Sequence, residues 1–208
     1  MKNILKLSLV ISGFHVLCAL LSGIQYLKIF GSPHPFYPQE DGISLGDCYL
    51  FSDIVCSILS IVFFFLLLRK AAANSPLKWP FITIIGGFAL GLLGWMMSEM
   101  LIKESDFYYG VTDTVKMLQL IKFIGAILLS AGLIWFGSFF EKRSLVRITS
   151  YILPVFIVLS AIISIYFMVS FGFLAPNHIL FILLIIVHIA YVIFFYSFYK
   201  YNQSYGRN

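Results

Sequence analysis

Charge is scarce in this sequence. Only 11% of its 208 residues are Asp, Glu, Lys or Arg, against about 25% in an ordinary soluble domain. Hydrophobic residues make up 61%, and 22 of them are Phe. A compact water-soluble domain of this composition would carry more apolar surface than its interior could hide. The shortage of charge therefore argues against a soluble protein and points to an all-α integral membrane protein. The strong enzymatic signatures are also missing: there is no GxSxG, no Walker A, no HExxH and no CxxC. The nucleophile elbow, the phosphate cradle, the zinc helix and the redox dithiol each need one of those patterns. No span concentrates carboxylates and histidines as a di-metal centre requires, so no metal and no cofactor is expected. Cysteine is rare too. Cys18 and Cys56 fall inside apolar runs, where a free thiol behaves as a small hydrophobe, and Cys48 stands apart.

What is abundant is long apolar stretches. Six predicted spans emerge, at about 5–30, 46–69, 79–101, 118–140, 149–170 and 178–199, each near the ~20 residues that cross a bilayer. Strands of a membrane barrel would show shorter runs of alternating polarity, and none occur. The first run follows Lys2 and Lys6 like a secretion signal. It continues too far and lacks a small-x-small cleavage site, so it reads as an uncleaved span. The connections carry turn chemistry, with Pro33, Pro35, Pro38 and Gly42 in one, Pro76 in another, and Pro176 before a capping Asn177 in a third. The reading is one six-helix transmembrane domain over residues 1–208. Pro154 lies about one turn into the fifth predicted span, in its first turn or as a kink.

The basic residues orient the chain. With the N-terminus inside, 10 of the 14 Lys and Arg fall on the inner side, with Glu141 the only acid there. The net charge of +5 is thus a topology signal and not a nucleic-acid footprint. Both termini are expected to be cytoplasmic, in the cytoplasmic membrane of a cell. Trp79 and the tyrosines Tyr196, Tyr199 and Tyr201 fall at the inner boundary, and Tyr37, Tyr108 and Tyr109 at the outer.

Three features invite function. Asp53 lies within the second span, about 6 Å below its outer edge at 1.5 Å rise per residue. It shares a face with Cys56, Ser57 and Ser60. An ionisable group at such depth needs a partner, and Lys122 enters the fourth span at a matching depth. A structural Asp53–Lys122 pair is the plainer reading, and a ligand or ion vestibule of Asp53, Glu99 and Lys122 the sharper one. The first span carries a stripe of Ser8, Ser12, His15, Cys18, Ser22 and Gln25 at helical spacing. That stripe must face other helices, or line a solute path. His15 and His188 each fall ten residues into their spans, near the midplane. Isolated buried histidines are usually just hydrogen-bonded, with Tyr191 a ready partner for His188. Axial haem ligation and a proton relay are the sharper alternatives, with haem the less favoured. His34, near Glu40 and Asp41, and His178 fall in the outer connections without metal-ligand spacing.

The third span adds a face of small residues, Thr83, Gly87, Gly91, Gly94 and Ser98, which lets helix backbones approach closely. Three functions are compatible with these features. One is a transport or solute-binding membrane subunit with an outward polar vestibule. Another is an accessory protein that binds lipid or a membrane partner, or itself as a homo-oligomer, through the glycine face. A third is a membrane-embedded lipid-modifying enzyme using Asp53, Glu99 or His15.

Overall fold

The computed structural model describes residues 2–31, 45–71, 75–101, 113–171 and 178–205. They form six helices: α1 (Lys2–Gly31), α2 (Leu45–Lys70), α3 (Lys78–Leu101), α4 (Asp113–Gly137), α5 (Leu145–Phe171) and α6 (His178–Tyr205). Each contains a stretch long and apolar enough to cross a membrane, which is consistent with a multi-pass membrane protein. Their outward surfaces are apolar as well: Leu20, Leu27, Phe51 and Val155 are 60–68% exposed, a pattern that lipid stabilises and water does not.

The helices overrun the expected spans because helical hydrogen bonding need not stop where the hydrocarbon does. Several boundaries differ: α6 runs on to Tyr205 rather than ending at 199. α4 begins at Asp113 rather than 118 and ends at Gly137 rather than 140. Beyond Gly137 the chain tightens into a turn in which Ser138 Oγ donates to the Trp135 carbonyl at 2.6 Å. α5 begins at Leu145 rather than 149 because Ser144 caps it, its Oγ accepting from the Arg147 amide at 3.3 Å. Pro154 therefore sits in the helix interior, not in its first turn, and the missing N–H leaves the Ser150 carbonyl without its helical donor. Asn177 and the Pro33–Gly42 connection lie outside the described residues.

The packing order is a ring. Each helix packs against its neighbours in sequence, α6 closes against α1, and among the described residues no other pair of helix backbones meets. Such a ring needs something in its middle. In the half that holds residues 2 and 205, here the terminal half, the filling is aromatic. Phe63 and Phe64 on α2 are fully buried and meet Phe195, Phe198 and Phe194 on α6 and Phe136 on α4. Phe81 from α3 joins them. Most of these contacts are edge-on or tilted with centroids 5.1–6.2 Å apart, the geometry that ring quadrupoles favour. Ile84, Leu133, Val146 and Leu153, buried to 1% exposure or less, complete the plug.

α3 and α4 approach most closely, and glycine makes that possible. A Cβ on Gly87 would fall 2.5 Å from the Leu129 amide nitrogen. One on Gly125 would fall 3.0 Å from the Gly87 carbonyl oxygen, and one on Gly132 2.9 Å from the Ile84 amide nitrogen.

Candidate functional site

Among the described residues the other, distal half of the ring is not filled. A cavity of about 490 Å³ lies there, with walls from all six helices. That volume is within the ~300–1,000 Å³ usual for small-molecule sites. Its walls are mostly apolar, with Phe88, Leu92 and Trp95 from α3 and Phe123 from α4. A few polar groups interrupt them: Tyr49, Asp53 and Ser57 from α2, Gln119 and Lys122 from α4, and Ser160 and Ser164 from α5. His15 and Tyr191 stand toward the plug.

Of the expected vestibule, Asp53 and Lys122 line this one cavity from facing helices. They do not form the pair that the plainer reading supposed. The Asp53 carboxylate makes no hydrogen bond or ion pair with a described residue, and protein encloses it except where it borders the cavity. Lys122 reaches in over α3 at Gly94, where a Cβ would collide with its Cγ at 2.8 Å. Glu99 lies on the described backbone of α3, but its side chain is outside the described residues, as are His34, Glu40 and Asp41.

The polar stripe of α1 faces inward. Ser8, Ser12, His15, Cys18 and Ser22 are all buried, and Gln25 is half-buried. Ser12 Oγ donates to the Val192 carbonyl on α6 at 3.4 Å, while Ser8 Oγ turns back to the Leu5 carbonyl at 2.8 Å. Cys18 meets Cys56 of α2 with sulfurs 3.8 Å apart, both thiols free. Their proximity was not anticipated from the sequence.

The midplane histidines meet each other. His15 Nδ1 lies 3.0 Å from His188 Nδ1, and His188 Nε2 lies 3.1 Å from the Tyr49 hydroxyl. Two axial ligands on opposite sides of one iron, at about 2.0 Å each, would stand ~4 Å apart with a macrocycle between them. The direct ring-to-ring contact is a different arrangement. Tyr191 does not bond His188 as expected. It stacks on His15 at 4.5 Å and 4°. His15 Nε2 is buried and has no hydrogen-bond partner among the described residues.

Tyr49 and Gln119 were missed because each lies at the margin of an apolar run, where a polar residue needs no explanation. Ser160 and Ser164 share a helical face and were visible in principle. The glycine face of α3 divides in two. Gly87 and Gly94 contact α4, whereas a Cβ on Gly91 would meet nothing within 4 Å, and Gly91 lines the cavity. Among the described residues no group of three or more His, Cys, Asp or Glu could hold a metal ion. Comparison of the chain with models of known families, with curated proteins and with solved structures finds no match.

Proposed function

We propose that the protein binds a small solute in the distal cavity, as a transport or solute-binding subunit of the cytoplasmic membrane with both termini inside. The clustering of Lys and Arg on the terminal side supports that orientation, and it turns the cavity outward. The observation that carries the reading is Asp53. A carboxylate at this depth without a partner among the described residues is costly, and it borders a cavity large enough for a ligand. A solute bearing a cation or a hydrogen-bond donor would supply the missing partner. The aromatic plug supports one-sided access, because it fills the ring on the opposite side. The accessory reading has less support, since the glycines at 87 and 94 already pack against α4 of the same chain.

Cysteine labelling read site by site through peptide mapping tests this. In a Cys48→Ser background, Ser57→Cys and Ser164→Cys line the cavity, while Ser150→Cys is buried below it. A membrane-impermeant maleimide added outside should modify the first two at least tenfold faster than the third. Equal inertness of all three would overturn the proposal.

A further inference from the structure

Among the described residues, one acidic and one basic side chain line the cavity. Asp53 stands on α2 and Lys122 on α4, and the two do not bridge. α3 stands between those helices in the ring. The wall it presents includes Gly91, where an added Cβ would meet nothing within 4 Å. Two opposite charges thus share one cavity with open space beside them, and a single solute can answer both.

From this we infer that the solute is a zwitterion on an apolar body: an amino acid whose ammonium meets Asp53 and whose carboxylate meets Lys122. The inference rests on the solute reading above and narrows it. Simpler solutes each leave something uncompensated. An organic cation would satisfy Asp53 but face the like charge of Lys122, in a medium where low dielectric strengthens repulsion. An organic anion meets the converse difficulty at Asp53. A neutral sugar would set many hydroxyls against Phe88, Leu92, Trp95 and Phe123, and each buried hydroxyl without a partner is costly. A divalent metal ion would find too few ligands, since among the described residues no group of three His, Cys, Asp or Glu could hold one. A zwitterion pairs with both side chains, is itself neutral, and leaves no charge stranded among the helices.

Lys122 need not be idle in the protein for this. An ammonium has three N–H donors, so a contact within the bundle leaves others for a carboxylate. The apolar walls receive the body of the solute. At ~30 Å³ per water, the 490 Å³ of the cavity equals about sixteen waters. That is room for an amino acid with a large apolar side chain, and for waters on Ser160 and Ser164.

The test compares solutes that differ in charge alone, titrated by calorimetry into wild-type protein in phosphatidylcholine nanodiscs, with protein-free nanodiscs as the blank. L-phenylalanine is set against phenethylamine, which lacks the carboxylate, and phenylpropionate, which lacks the ammonium. A second series, ε-aminohexanoate with hexylamine and hexanoate, holds the charges at opposite ends, and so separates an ω-amino acid from an α-amino acid. One of the two amino acids should bind at least tenfold more tightly than both of its single-charge analogues. Asp53→Asn should reduce its advantage over the acid to within twofold, and Lys122→Met its advantage over the amine. Where a variant does not fold, the wild-type series decides alone. An amine or an acid that binds as tightly as its amino acid, or no binding of either amino acid, would overturn the inference. Maleimide labelling needs no ligand and separates the two failures. Reactive Ser57→Cys with no amino acid bound strikes the zwitterion and leaves the cavity to another solute, whereas inert cysteines strike the solute reading itself.

Discussion

His15 and His188, 173 positions apart, meet nitrogen to nitrogen at 3.0 Å. The contact joins the first helix to the last, and Tyr49 ties α2 to it through the other nitrogen of His188. One histidine thus holds three helices at the depth where the cavity gives way to the aromatic plug.

Removing it should therefore be costly. His188→Phe leaves His15 Nδ1 and the Tyr49 hydroxyl without their partner, at about 1–3 kcal/mol for each buried orphan. His15→Phe orphans only one ring nitrogen. Thermal melts in detergent of both single variants and the double should give a coupling of about 0.5–3 kcal/mol. Strict additivity would mean the rings do not touch.

Gly87→Ala and Gly91→Ala should part company although they lie one turn apart. The first pushes a methyl group into the backbone of α4 at Leu129, and overpacking of that kind destabilises by about 1–3 kcal/mol. The second meets nothing within 4 Å and should leave the melting temperature unchanged, or raise it slightly through lost unfolded-state freedom. Gly91→Leu should protect Ser57→Cys from maleimide by narrowing the cavity.

Cys18 and Cys56 need little movement to bond, since the sulfurs need close only from 3.8 Å to the ~2.05 Å of a disulfide. Treating membranes with diamide should yield a Cys18–Cys56 bridge, seen by peptide mapping. Cys48, which is exposed, should stay out of it.

Phe64→Ala removes the ring that touches Phe81, Phe88, Phe136, Phe194 and Phe195 at once. Its cost should be about 3–5 kcal/mol. A variant that still folds should let external maleimide reach Ser150→Cys, the position the intact plug protects.

A reporter that fluoresces only after export, fused after Asn208, should stay dark, while alkaline phosphatase inserted between residues 102 and 112 should be active. The reverse result would turn the cavity toward the cytoplasm.

The helices were legible because lipid imposes one simple demand, an apolar run of sufficient length, and composition alone expresses it. The inward direction of the α1 stripe was legible for a related reason: six small or polar residues on one face have nowhere else to go. The pairings were not. Nothing in the spacing around His15 or His188 specifies that α6 closes on α1, and that closure brings the two rings together. Asp53 and Lys122 line one cavity, yet helical phase on two separate helices does not fix a separation across it. The role of Gly91 failed in the same way. Its place on the small-residue face was visible, but whether a neighbouring helix or empty space lies opposite depends on the crossing point.

The closure of α6 on α1 also bears on how the chain is made. In a protein synthesised from its N-terminus and inserted helix by helix, α1 emerges well before α6, the helix that completes it. Ser12 and His15 find their partners at Val192 and His188, which emerge on the order of ten seconds or more later at 5–20 residues per second. For that interval α1 carries a polar face with nothing from α6 to cover it. An insertase or another host component that shelters such a face would be needed early in biogenesis and released once the ring closes.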